Sequence, residues 1–241
     1  MSRLHLRAIL ALGVAATIGS GWQEARAAFN VNLLANPGAE SGVFVANVGG
    51  FDIYSTPGWT TVSGQFEAET YAGGTPPNIT PFSPGPADRG ALLFYGGNAP
   101  LTIATQRLDV SGDASTIDAG RALSTISGYL GGFATQDDNA TFTETFLGAG
   151  ANPLGSATIG PVLAADRGNV SGLLYRSANA FLPAGTRSIQ ATLTITRVVG
   201  TFNNGAADNL AITLTAVPEP SSLLMLGLGA IGVAALRYRS K

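Results

Sequence analysis

Carboxylates are the side chains best placed to do chemistry in this sequence. The chain has no cysteine and one histidine, His5, so thiolate metal binding and cysteine nucleophilicity are excluded, and the commonest general base is missing beyond the fifth residue. Serine catalysis lacks its base for the same reason. Acid pairs remain. Glu67 and Glu69, at i and i+2, share one face of a predicted strand. A glycosidase needs two carboxyls about 5 to 9.5 Å apart across a cleft, and neighbours on one strand approach a substrate from one side. The run Gln136-Asp137-Asp138-Asn139 follows Gly131-Gly132 and reads as a turn before it reads as a metal site. Glu144 falls on the same strand face as Phe142 and Phe146, where a carboxylate must be paired or shifted in pKa, with Arg176 or Arg121 as the partner. The expectation is a protein that is not an enzyme.

Sugar binding asks for something different: an exposed aromatic platform with polar groups at its rim. Trp59, Tyr71 and Tyr95 are the candidate ligand-binding residues, with Tyr54 beside them. Between Ala28 and Ala216 there are seven arginines, no lysine and thirteen acids, a net charge of −6. A nucleic-acid partner would need a basic stripe, and there is none. Hard cations suit this balance better.

The elements that position these groups are strands. Thirty-two glycines and 12% charged residues describe short strands and turns more than charged amphipathic helices. Ile189, Ala191, Leu193 and Ile195 alternate with Gln190, Thr192, Thr194 and Thr196; Leu210, Ile212 and Leu214 repeat the pattern. The loop from Thr201 to Ala207 predicts a hairpin between them. A first strand is expected over Phe29 to Leu34. Further strands are expected over 65–71, 91–95, 101–110, 123–133, 140–147, 157–163 and 173–182. Thr75 to Ala87, with five prolines, predicts a long surface loop. Eight or more strands imply an all-β fold of two packed antiparallel sheets, a β-sandwich.

The two ends differ from this body. Residues 1–27 carry Arg3 and Arg7, an apolar run from Ala8 to Ile18 and Ala25-Arg26-Ala27, which reads as a signal peptide, helical in its apolar part, that signal peptidase cuts between Ala27 and Ala28. Residues 217–241 read Val217-Pro218-Glu219-Pro220, then an apolar stretch from Leu223 to Leu236, then Arg237, Arg239 and Lys241. At about 1.5 Å per residue that stretch reaches about 21 Å, short of a bilayer's roughly 30 Å core. The terminal basic cluster nevertheless argues for a single transmembrane helix held on the cytoplasmic side. This tail resembles the PEP-CTERM sorting signal of Gram-negative bacteria that make exopolysaccharide. The resemblance implies an exosortase-type membrane protease as partner, cleavage near Pro218-Glu219-Pro220, transient anchorage in the inner membrane and delivery to the cell surface or beyond.

Residues 28–216 form the expected folded domain. Asn32-Leu33-Leu34-Ala35-Asn36-Pro37-Gly38-Ala39-Glu40-Ser41-Gly42, Pro57-Gly58-Trp59 and Asp208-Asn209-Leu210-Ala211-Ile212 resemble galactose-binding-like jelly rolls, including carbohydrate-binding modules, although Ala39 stands where an aromatic is usual. The resemblance implies a structural calcium between Glu40 and Asp208, with Asn36 contributing its carbonyl. It also implies binding of carbohydrate or exopolysaccharide. A structural matrix or adhesion protein with no small ligand is the alternative, and a polysaccharide-acting enzyme a more distant one.

Overall fold

The computed structural model describes residues 29–48, 50–71 and 79–218. The signal segment 1–27 and the apolar tail segment 223–236 lie outside the described residues. Alternating apolar positions produce twelve strands: β1 (Phe44–Val48), β2 (Phe51–Tyr54), β3 (Thr60–Ser63), β4 (Glu67–Thr70), β5 (Leu92–Tyr95), β6 (Leu101–Asp109), β7 (Ala122–Gly132), β8 (Asn139–Gly148), β9 (Pro153–Ile159), β10 (Gly172–Phe181), β11 (Thr186–Thr196) and β12 (Ala206–Ala216). A short helix, α1 (Ala114–Asp118), links β6 to β7. The strands pair antiparallel in a seven-stranded sheet, β1-β2-β4-β5-β12-β7-β10, and a five-stranded sheet, β3-β6-β11-β8-β9. The two sheets form a β-sandwich.

The core lies between them. Leu193 and Ile195 of β11, Phe142 and Phe146 of β8, Ile126 and Leu130 of β7, and Leu210, Ile212 and Leu214 of β12 are all buried in one cluster. Burying a side chain of this size is worth about 1.5–3 kcal/mol, so the inward-facing positions hold the sheets together.

Two expectations change. The 201–207 segment is not a hairpin loop: β11 and β12 belong to different sheets, and the segment crosses the sandwich edge. Both strands turn their apolar faces to the same core, which pairing within one sheet would not require. The segment over 29–34 makes an isolated bridge, Asn32 to Thr213, instead of a strand. Backbone bonds from Asn30 N to Leu214 O at 2.8 Å and from Leu33 N to Ile212 O at 2.9 Å flank the bridge, and the Asn32 side chain adds to them, donating to Leu210 O at 2.9 Å and accepting from Ile212 N at 3.2 Å. Strands β1, β2 and β3 were not foreseen, being short and bordered by Gly and Pro.

The proline-rich segment is more than a surface loop. Phe82 is exposed, but Ile79 is buried with Tyr71, Leu93, Leu173 and Ala206 on the outer face of the seven-stranded sheet. Pro84 O accepts from Leu173 N at 2.8 Å. Arg89 secures this strap through Pro86 O at 2.8 Å and Thr80 O at 3.2 Å. The strap covers part of that face and leaves the β2-β4-β5 part uncovered by its described residues.

Candidate functional site

Period two places Phe51, Ile53, Glu67, Glu69, Leu93 and Tyr95 on one face, with Leu93 under the strap and the others beside it, because Ile53 pairs with Glu69, Glu69 with Leu93 and Glu67 with Tyr95. A small cleft opens there. The half-buried Phe202, with the buried Phe51 and Tyr95 behind it, forms its aromatic wall; Gln65, Glu67 and Asn98 supply polar groups. Phe51 stacks on Tyr95 with ring centroids 5.8 Å apart and meets Phe202 at 5.6 Å. The Tyr95 hydroxyl donates to Asn204 Oδ1 at 2.8 Å, and Asn204 Nδ2 donates to Gln136 Oε1 at 2.6 Å. Gln65 Oε1 accepts from Asn98 N at 2.9 Å. The wall is therefore held by stacking and hydrogen bonds that do not depend on a ligand.

The two glutamates are unusual. Burial raises the pKa of Glu67; burial, then the charge of Glu67, raises that of Glu69 well above the usual carboxylate range. Glu69 is 1% exposed, and its Oε2 has no hydrogen-bond partner. A buried acceptor left unmatched costs about 1–3 kcal/mol.

Of the predicted ligand-binding aromatics, Tyr95 lines this cleft, although it is only 2% exposed. Trp59 and Tyr71 offer no platform. Trp59 packs in the core against Phe66, Phe94 and Phe142 and donates from Nε1 to Asn36 O at 3.3 Å. Tyr71 is buried with its hydroxyl on Asp208, and Tyr54 packs against the core. A ring of this size on an alternating strand gains more from burial than from exposure. Phe51 and Phe202, which carry the cleft, were missed. The only signal was an aromatic in each of two Gly- and Asn-bearing stretches.

Glu40 and Asp208 come together around Gly38. A Cβ there would lie 3.2 Å from Asp208 Oδ1 and 4.0 Å from Glu40 Cγ. Glu40 accepts from Ala91 N at 3.0 Å and Leu92 N at 2.8 Å; Asp208 accepts from Tyr71 Oη at 2.5 Å and Asn209 N at 2.7 Å. Burial lifts the Asp208 pKa to about 6, the Tyr71 and Asn209 hydrogen bonds pull it down, and the carboxylates of Glu40 and Asp88 add to the rise. Asn36 spends its side chain on the turn, accepting from Ser41 N at 2.9 Å and donating to Pro57 O at 3.1 Å. Among the described residues no group of three or more acidic or histidine side chains is arranged to hold a metal ion. The donors are nevertheless hard oxygens, and each carboxylate oxygen keeps a second lone pair beside the hydrogen bond it accepts. In donor chemistry they suit calcium.

The remaining acids are structural. Asp138 is fully buried and accepts from Val198 N at 2.6 Å, Val199 N at 3.0 Å and Asn204 N at 2.9 Å, so the 136–139 turn anchors the crossing from β11 to β12. Glu144 lies in the sandwich interior and accepts from Ser124 Oγ at 2.6 Å. Arg176 is at the surface, 3.9 Å from Asp166, and does not serve as its partner.

The geometry of the cleft says what the domain can hold; the end of the chain says where it goes. Residues 216–240 match the family model of the PEP-CTERM protein-sorting motif. The chain carries a PEP-CTERM sorting motif. That motif implies processing by an exosortase, a membrane protease-like enzyme, with export and passage through the membrane to the surface. Among the described residues no helix is long and apolar enough to cross a membrane. No curated protein matches the PEP-CTERM chain.

Several solved structures resemble its fold. A cyclase from Fischerella sp. TAU is 12% identical, with a TM-score of 0.50 over 78% of this chain and 98% of that one. A family 16 carbohydrate-binding module is 13% identical, with a TM-score of 0.47 over 76% and 99%. The enzymatically active domain of tailspike protein 4 from bacteriophage CBA120 is 15% identical, with a TM-score of 0.47 over 76% of this chain and 21% of the tailspike's. This chain thus spans about a fifth of the tailspike's length. At such identities the likeness concerns the fold alone.

Proposed function

We propose that this PEP-CTERM protein is an exported, non-catalytic carbohydrate-binding protein that holds itself in exopolysaccharide through the cleft on its seven-stranded sheet. The carrying observation is the cleft itself, a wall of Phe51, Tyr95 and Phe202 edged by Gln65, Glu67 and Asn98. A pyranose offers an apolar face and a rim of hydroxyls, so it matches an aromatic wall with acceptors and donors at its edge. Residues 28–216 form the binding domain in this reading, a jelly roll of the galactose-binding-like kind. The signal segment and the transmembrane tail, cut by signal peptidase and the exosortase, serve only its export. Glu67 binds without cleaving in this reading, because it is the one acid lining the cleft and its strand neighbour Glu69 lies on the same side.

A structural calcium between Glu40 and Asp208 is part of the proposal. The ion would neutralise carboxylates that otherwise repel, tying the first turn of the domain to its last strand.

Glycan-array binding by the full-length protein in detergent tests the function. The expected result is binding to a subset of glycans, weakened at least about tenfold by Phe202→Ala. Absence of binding to any glycan, including the host's own exopolysaccharide, would instead favour a structural matrix or adhesion protein, a role to which the burial of Trp59 and Tyr71 is equally suited.

A further inference from the structure

The sorting motif begins where the sandwich ends, with no spacer between them. Strand β12 pairs with β7 to its last residue: Leu214 stands opposite Ser124, Thr215 opposite Leu123 and Ala216 opposite Ala122. The ladder runs one residue further, because Val217 N donates to Arg121 O at 2.8 Å. Pro218 has no N–H with which to continue it, so the first proline of the motif is also the stop of the strand. Pro220 is three residues past Val217, a span of at most about 11 Å. The apolar stretch starts at Leu223, at most about 22 Å from Val217. The sandwich therefore meets a membrane protease with no long tether to hold it clear.

The grip on this strand changes within one residue. Leu214 is fully buried in the core, and its carbonyl accepts from Asn30 N at 2.8 Å. Thr215 and Ala216 are exposed and Val217 is half-buried. Beyond Leu214 little apolar surface is buried, and strand ends of this kind open locally at a small fraction of the cost of global unfolding.

A protease binds its substrate as an extended strand through main-chain hydrogen bonds, and a backbone whose bonds are spent in a sheet resists it. Hydrolysis adds water's hydroxyl to the scissile carbonyl and its proton to the leaving amine, so that peptide has to stand clear of the sheet. Resting on the sorting reading of the motif, we infer that the exosortase engages Thr215, Ala216 and Val217 together with the motif, and that these three residues leave β7 before the chain is cut. Leu214 limits the opening: behind it the core holds β12, and the domain is released folded. The end of β12 is thus a shared strand, bound to the sheet in the folded domain and to the enzyme during sorting. How often it opens sets how fast the motif is cut.

The absence of cysteine allows a direct test. Ala122 and Ala216 face each other as a non-hydrogen-bonded pair, since the next pair, Arg121 and Val217, carries the hydrogen bond. Side chains in such pairs approach most closely, so Ala122→Cys with Ala216→Cys closes a disulfide that pins the strand end. Cleavage of the full-length protein is followed by gel mobility in membranes that contain the exosortase, with and without reductant, the wild type controlling for the reductant. The oxidised variant should be cut at least about tenfold more slowly than the reduced one. Inserting about six Gly and Ser residues between Ala216 and Val217 should speed cleavage of the wild type and remove the effect of the disulfide. Equal rates for oxidised and reduced protein would overturn the opening and leave the motif's role standing. Slowing that persists in the disulfide variant with the insert would overturn it as well, because the motif is then already free of the strand. A wild type that is not cut would overturn the motif's role and this inference with it.

Discussion

The Tyr71 hydroxyl donates a 2.5 Å hydrogen bond to Asp208 Oδ2 across 137 residues of sequence. It joins the end of β4 to β12 on the outer face of the seven-stranded sheet. Burial and the Asp208 carboxylate push the Tyr71 phenol above its usual range, so it remains a neutral donor. Tyr71→Phe should destabilise the fold by about 1–3 kcal/mol, since it strips a donor from a buried carboxylate. Urea unfolding measures this, and an unchanged midpoint would refute it.

The pH dependence of stability follows from two buried acids. Burial holds Glu144 at about 7 against an ordinary 4.5, opposed by its bond from Ser124, and holds Asp208 at about 6 against 3.8. In this window the folded state keeps protons that the unfolded state has released. Stability is therefore greatest below the unfolded values and is lost as pH rises from 3.8, the ordinary Asp208 value, through about 7. Glu144→Gln keeps an acceptor for Ser124 and cannot ionise, so it should flatten the curve. Melting temperatures of both proteins between about pH 5 and 8 decide it; parallel curves would sink the argument.

Asp138→Ala should be among the most damaging single changes. It leaves the amides of Val198, Val199 and Asn204 without the acceptor they share, at a cost of at least about 3 kcal/mol. Loosening this turn also loosens Asn204, which holds Tyr95. Glycan affinity should fall with stability in this variant, measured by chemical unfolding and titration on one preparation.

Calcium is testable without a ligand. If the ion sits between Glu40 and Asp208, millimolar calcium should raise the melting temperature of the wild type, a chelator should reverse the rise, and Asp208→Asn should abolish it. A wild-type curve indifferent to both additions would remove calcium from the account.

Recognition for sorting should depend on the motif itself. Replacing Pro218-Glu219-Pro220 with alanines should leave the protein uncut in the membrane fraction with its melting temperature unchanged, read by gel mobility after fractionation. Normal processing of that variant would contradict the motif's role.

The sequence by itself determined the strand content, the C-terminal sorting motif and most inward-facing residues of the late strands. These are local properties: alternation in β11 and β12 sets which side chains share a face, and the tail motif is read as a linear string. The same string brought Glu67 and Glu69 to one face. It also marked Glu40 and Asp208, through the family resemblance, as neighbours. Tertiary structure alone decided which sheet each strand joined, because β11 and β12 satisfy the same alternation whether paired in one sheet or facing across a core. Asp138, reaching 60 residues to hold the crossing between them, has no local signature. Exposure was also beyond the sequence: Trp59 and Tyr71 are buried while Phe202 lines a cleft, since a ring's fate depends on what folds over it. A bulge between Asp208 and Ala211, with Asn209 at a φ of 46°, lets Asp208 face outward to Tyr71 while Ala207 and Leu210 both point into the core. Only the folded chain places those contacts on opposite sides of one strand.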